Sequence, residues 1–262
     1  MTDTVVETPA LELVGLVKEF RGRRVVHELS LSVPRGSLYG VVGPNGAGKT
    51  TTLSMATGLL RPTAGVARVL GVDVWESPSR AKSLMGVSPD GMRLFEQLSG
   101  RELLRYVGSL RRMPAAVVDE RSTELLDVLD LAGDAQTVVA DYSAGMVKKI
   151  SLAAALIHAP RLLVLDEPFE AVDPVSSEVV RTILRRYVAS GGTVVMSSHV
   201  MELVQGLCDH VAVVAGGRVL AADAVTELTA GGSLHQRFLQ LVGAAEVAHD
   251  GLGWLGAPDG DA

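Results

Sequence analysis

Residues 43 to 51 read GPNGAGKTT, set between an apolar run, LYGVV, and a helix-like run, LSMATGLL. No other stretch leaves the chain so few folds to choose from. Gly43, Gly48, Lys49 and Thr50 satisfy G-x-x-x-x-G-K-[ST], with a strand before and a helix behind. Glycines let the backbone curl until successive N–H groups face phosphate oxygens. The helix opening at Lys49 aims the positive end of its dipole at the same oxygens. Lys49 is placed to reach β- and γ-phosphates, and the Thr50 hydroxyl to ligate Mg²⁺. Gly43, Pro44, Asn45, Gly46, Ala47, Gly48, Lys49, Thr50 and Thr51 together form the candidate phosphate cradle.

A phosphate loop of this kind needs a carboxylate for its metal, and LLVLDEP supplies one. Leu162 to Leu165 read as a buried strand with Asp166 at its C-terminal edge, the edge at which open α/β sheets bind ligands. Asp166 is expected to hold Mg²⁺ through water. Glu167 comes next, and a carboxylate beside a metal-bound γ-phosphate can orient and deprotonate an attacking water. His199 follows the strand TVVMSS, where a histidine can contact the γ-phosphate and sense its loss. His27, His158, His210, His235 and His249 have no such placement and read as structural.

The chain's 262 residues suffice for one large domain or two small ones, and 47% of them are apolar, enough for a sizeable core. The formal net charge of −6 weighs against nucleic acid as a partner, because phosphate neutralisation requires a basic surplus. Cys208 is the one cysteine, so an internal disulfide and a CxxC metal site are both excluded. The N-terminus lacks the basic and apolar regions of a secretion signal. No apolar stretch reaches the ~20 residues that span a bilayer; the longest, SLAAALIHAPRLLVL, is split by Pro160 and Arg161.

Along the chain, β-rich runs (LELVGLV, VVHELSLSV) are joined by RGRR and closed by Pro34-Arg35-Gly36, as antiparallel strands are. Lys49 to Leu60 reads as a helix stopped by Arg61-Pro62. VARVLGVDV and SLMGVSP are β-like, and helical periodicity runs from about Leu98 to His158. Asp173-Pro174 is an N-cap followed by proline at the first position of a helix. The tail from Ala244, rich in Gly, Ala and Asp, is expected to be loosely ordered.

Together these residues resemble the ATP-binding subunit of an ABC transporter, over residues 11 to about 222. The discriminating piece is DYSAGMVKKISLAAALIHAP, just ahead of the second buried strand. Where the family usually has LSGGQ, this chain has Tyr142-Ser143-Ala144-Gly145-Met146. Serine and the second glycine are kept, so Ser143 can still donate to a γ-phosphate and the following helix still presents its N-terminus. The resemblance implies a head-to-tail dimer in which Ser143, Ala144 and Gly145 close over the ATP held by the other copy. It places Phe20 where an aromatic ring stacks on adenine, with simple core packing as the alternative. It places Asp173 in the loop linking the two sites, and His199 at the switch histidine. At Asp90 the family usually has a glutamine that touches Mg²⁺. Aspartate can still ligate the metal but, ionised, donates no hydrogen bond; a turn-forming Asp-Gly is the other reading. The YSxGM and DEPF variants look most like the ABC-2 exporter group.

The expected fold is therefore α/β, a P-loop NTPase of the ABC ATPase type: a mixed sheet core with an antiparallel β-subdomain and an inserted helical subdomain. Residues 1–10 are expected to be a flexible leader, 11–97 and 159–222 the nucleotide-binding core, 98–158 the helical insert, and 223–262 a C-terminal helix and flexible tail. The resemblance implies ATP and Mg²⁺ as cofactors, a second ATPase copy, a separate multi-span permease, and a place at the inner face of the cell membrane. Two alternatives stay open: a soluble ABC ATPase acting on ribosomes or DNA, and a nucleotide-binding half that no longer hydrolyses.

Overall fold

The computed structural model describes residues 8–91 and 94–243. The chain opens with an antiparallel pair, β1 (Leu11–Phe20) and β2 (Arg23–Val33), turning at Arg21-Gly22. There follow β3 (Leu38–Val42), α1 (Lys49–Ala56), β4 (Ala64–Val69), β5 (Val72–Asp73), α2 (Pro78–Leu84) and β6 (Met85–Ser88). Three helices come next: α3 (Gly100–Leu110), α4 (Ala115–Val128) and, after a short 3-10 turn at Val139–Asp141, α5 (Ala144–Leu156). The remainder alternates: β7 (Leu162–Leu165), α6 (Pro174–Ala189), β8 (Thr193–Ser198), α7 (Met201–Leu207), β9 (His210–Ala215), β10 (Arg218–Ala224), α8 (Val225–Leu228) and α9 (Leu234–Val242).

Two sheets result. One is antiparallel, in the order β2-β1-β4-β5; the other is six-stranded, β10-β9-β3-β8-β7-β6. In the second, β6 to β9 and β3 pair in parallel, and only β10 runs against its neighbour. The chain thus has the mixed α/β architecture its sequence leads one to expect.

Every residue of β3, β7 and β8 is buried, as parallel strands covered on both faces must be. Alternation along each strand sorts side chains between two cores. Leu163, Leu165, Val194 and Met196 join one with α5, α6 and α7. Leu162, Val164 and Val195 join the other, with α1, α2 and the antiparallel sheet.

The parallel register carries the consequence for function. Val42 lies opposite Ser198, Met196 opposite Leu165, and Leu165 opposite Ser88. The chain therefore leaves β3, β6, β7 and β8 at one common edge, where loop 43–48, Asp90, Asp166-Glu167 and His199 follow. The β9–β10 turn stitches the two sheets there. Gly217 N–H donates to Ala47 O (3.0 Å), and Gly217 O accepts from His27 N–H (2.9 Å). Gly217 has φ +72, and a Cβ on it would lie 2.1 Å from Val25 O.

Three local features differ from the sequence reading. Helix α1 ends at Ala56 rather than Leu60, because Gly58 adopts φ +74 and Leu59 N–H reaches back to Ser54 O (2.9 Å), a left-handed C-terminal cap. Helix α2 was not expected; Pro78 sits in its first turn, where a missing N–H costs nothing. Of the expected leader, residues 1–7 lie outside the described residues, but Ala10 is fully buried and bonded to Val33 O and Leu70 N–H. The loose tail expected from Ala244 also lies outside them.

Candidate nucleotide-binding site

Loop 43–48 turns through two left-handed glycines, Gly46 (φ +79) and Gly48 (φ +97). Gly43 serves differently: its φ is ordinary, but a Cβ there would lie 2.0 Å from the backbone oxygen of Val214. The first glycine of the motif thus lets the loop lie against β9. Helix α1 begins with no side-chain cap and no acidic residue in its first turn. Among the described residues, the backbone N–H groups of Gly48, Lys49, Thr50 and Thr51 have no protein acceptor. A run of bare donors at a helix N-terminus is a site for an anion.

Lys49 is buried, with 6% of its surface exposed, inside that loop. Its Nζ donates to Gly43 O (2.8 Å) and Pro44 O (3.3 Å) and lies 3.5 Å from Glu167 Oε1. Thr50 is exposed beside it and Thr51 half-buried. Pro44, Asn45 and Gly46 are exposed at the loop's tip, and Ala47 is buried under it.

Asp166 is 5% exposed at the end of β7. Its N–H donates to Ser88 O (2.9 Å), and its carboxylate accepts from the Ser197 hydroxyl. Ser197, fully buried on β8, also accepts from Glu167 N–H (2.9 Å). Glu167 itself stands at φ +47, a region that side-chain-bearing residues avoid. Its Oε1 faces Lys49, and its Oε2 lies 3.0 Å from His199 Nδ1. Loop, acid pair and histidine thus meet at one point. Among the described residues no three His, Cys, Asp or Glu side chains gather into a metal cage. A donor set of one buried carboxylate and one hydroxyl suits Mg²⁺, which usually binds few protein ligands and completes its shell with phosphate and water.

The remaining candidates lie around this centre. Ser143 caps α5, accepting from Met146 N–H (3.2 Å), and is exposed together with Ala144; Gly145 is half-buried. No hydrogen bond joins these three to loop 43–51 of the same chain among the described residues. Tyr142 is buried, its hydroxyl donating to Asp134 O (2.9 Å). Asp173 caps α6, accepting from Val175 N–H (3.0 Å) and Ser176 N–H (2.9 Å). The Ser176 hydroxyl and these N–H groups hold its carboxyl below the usual range. Phe20, 45% exposed at the end of β1 with Lys18 Nζ 5.0 Å from its ring centre, is not a core residue. The packing alternative for it is thereby removed.

Asp90, in the loop after β6, pairs with a side chain of α5. Its Oδ1 lies 2.7 Å from Lys148 Nζ, which also donates to Glu167 O (3.0 Å). Lys148 and Ser197 are the two residues that sequence reasoning missed. Serine in TVVMSS reads as one more small strand residue, and KK on a helix reads as a solvated face.

The family described as ABC transporter matches residues 26–170. The chain belongs to the ABC transporter family. Among curated relatives, the daunorubicin/doxorubicin resistance ATP-binding protein DrrA of Streptomyces peucetius is 39% identical over 84% of this chain and 67% of its own length. The Nod factor export ATP-binding protein I of Ralstonia nicotianae is 37% identical over 84% of this chain and 69% of its own. The linearmycin resistance ATP-binding protein LnrL of Bacillus subtilis is 32% identical over 83% and 70%. The chain thus spans about two thirds of the length of these relatives. A solved ATP-binding subunit of an ABC transporter superposes with TM-score 0.83 at 26% identity, covering 89% of this chain and 99% of that one. The ADP conformation of MJ1267, an ATP-binding cassette, superposes with TM-score 0.73 at 20% identity, over 90% and 99%. The family's fold accounts for both sheets.

Proposed function

We propose that this chain is an ATP-hydrolysing subunit that powers a separate membrane exporter. One observation carries the reading: Lys49, Asp166, Glu167 and His199 converge beside an uncapped helix N-terminus. The names of the relatives, resistance and export proteins, favour outward transport. Among the described residues no helix is long and apolar enough to cross a membrane, which is compatible with a pore formed by a separate chain.

Bound Mg²⁺–ATP would supply the scissile phosphoanhydride and a cation to neutralise charge on it. The chain's own groups do the rest. The bare N–H groups of Gly48 to Thr51 and the Lys49 ammonium hold the phosphates. Thr50 and Asp166 would hold the metal. Phe20 offers an exposed face to the base. Glu167 takes the proton of an attacking water, a role worth about 10²–10⁴-fold in rate. His199 fixes the Glu167 carboxylate through its Nδ1 contact. Asp173 sits in the loop that joins the two sites. Ser143, Ala144 and Gly145, exposed and unconnected to their own loop, fit a role in closing the site of a second copy. The working form is then a dimer docked on a permease at the inner membrane face, with no nucleic acid involved.

Glu167→Gln tests this. The variant binds ATP, loses turnover and becomes a dimer when ATP is present, read by size and phosphate release. Full turnover in Glu167→Gln, or a monomer at saturating ATP, overturns the reading. Tagged Glu167→Gln should also co-purify with a multi-span membrane protein; recovery of ribosomes instead would end the exporter reading.

A further inference from the structure

Glu167 occupies a backbone position that needs outside support. It has φ +47 and precedes Pro168, whose ring narrows the conformations open to the residue before it. Such strain persists only where the surroundings over-determine it. Three attachments do so. Ser197 holds the N–H, Lys49 and His199 hold the carboxylate, and Lys148 holds the C=O. The first two come from the sheet edge and its phosphate loop. Lys148 comes from α5, the helix that begins at Ser143, and its other partner is Asp90 in the loop after β6.

We infer that Lys148 is a positioning residue for Glu167, and that Asp90 is its counter-ion. The inference rests on the hydrolytic role proposed for Glu167. It gives Asp90 a task different from metal binding: the β6 loop acts on the hydrolytic carboxylate through an ammonium group rather than through the nucleotide. The chemistry suits the residue types. Aspartate, acceptor-only when ionised, pairs with an ammonium, and an ammonium has donors to spare for a carbonyl. At 19% exposure for Lys148 and 37% for Asp90, the pair is partly shielded from water, so losing Asp90 leaves an uncompensated charge on Lys148. Movement of the β6 loop would shift Lys148, and with it the peptide that aims Glu167. A misplacement of that kind near 1 Å costs about a hundredfold in rate.

The test uses the full chain with Lys148→Met, Lys148→Arg, Asp90→Asn and the Asp90→Asn/Lys148→Met pair. Lys148→Met is expected to lower kcat by about ten- to a hundredfold with KM for ATP within about twofold, because the phosphate cradle is untouched. Lys148→Arg restores most of the rate. Asp90→Asn lowers kcat severalfold in the parent and has no effect in the Lys148→Met background. Independently of turnover, hydrogen exchange in the segment around 166–169 speeds up in Lys148→Met while that in α1 does not. Should Lys148→Met fail to fold, Lys148→Ala, which also removes the donor to Glu167 O, takes its place. Unchanged kcat with unchanged exchange overturns the inference, as do effects of Asp90→Asn and Lys148→Met that simply multiply. A parent chain with no more turnover than Glu167→Gln overturns the functional reading instead, and the exchange comparison then decides the positioning role alone.

Discussion

Ser197 is a small residue that touches both members of the acidic pair. Its hydroxyl donates to the Asp166 carboxylate and accepts from Glu167 N–H at 2.9 Å, with no solvent exposure of its own. Ser197→Ala removes both bonds. An orphaned buried N–H costs about 1–3 kcal/mol, and a lost bond to a charged group about 1.5–3 kcal/mol. Relief from burying the hydroxyl offsets part of this, leaving about 2–3 kcal/mol of net destabilisation. For a domain of this size that is roughly 5–10 °C in melting temperature. Ser198→Ala is the matched control. Ser198 is also buried on β8, but its hydroxyl only accepts from Val200 N–H at 3.0 Å, so its loss costs below about 1 kcal/mol. Urea unfolding of the parent and both variants, at equal slope, reads the difference. ATP turnover should fall further in Ser197→Ala than in Ser198→Ala, because Glu167 loses the bond that anchors its backbone. Equal unfolding midpoints for the two variants would refute the hub assignment.

Other predictions concern the loop and the core. Lys49→Ala should weaken ATP binding by about ten- to a hundredfold, the loss of one charged donor set, in a calorimetric titration; unchanged affinity would contradict the cradle. Gly43→Ala should cost more than about 2 kcal/mol by crowding Val214 O, whereas Gly46, with open space around it, should accept asparagine, which tolerates a left-handed backbone, better than valine. Unfolding of the three glycine variants would show it. The half-buried His158 ring has Nε2 3.0 Å from Met85 O and a bare Nδ1, and desolvation together with the nearby Arg111 charge pushes its pKa down to about 4. Between pH 6.5 and 4 the unfolded chain holds a proton that the folded chain refuses, so stability falls as pH drops through that window. The loss is at most about 2 kcal/mol once partial exposure is allowed for. It should flatten in His158→Gln.

Much of this was readable in the sequence, for a physical reason. Parallel strands buried on both faces tend to be near-continuous apolar runs, so LYGVV and LLVL stand out, and the residues after them fall at one sheet edge. Caps are equally local: Asp173-Pro174 opens α6 where a side-chain acceptor and a missing N–H suit a helix start. What stayed hidden is non-local. Lys148 meets Asp90 across 58 residues and Ser197 meets Asp166 across 31, and no spacing rule connects such pairs. Helix α2 stayed hidden for another reason: seven residues with one buried side chain, Ala81, leave no periodic pattern to detect.

The stitch at Gly217 says where the molecule is stiff. One glycine bonds the phosphate loop through Ala47 and the antiparallel sheet through His27, and its backbone packs so closely on Val25 that no larger residue fits. The two sheets cannot tilt against each other without breaking those bonds under the loop itself. Any stroke driven by nucleotide is therefore steered away from that seam. On the proposed function, Phe20 and the phosphate loop would travel as one block. Compliance is left to the joint where α5, tied by Lys148 to the loop after β6, meets the sheet edge.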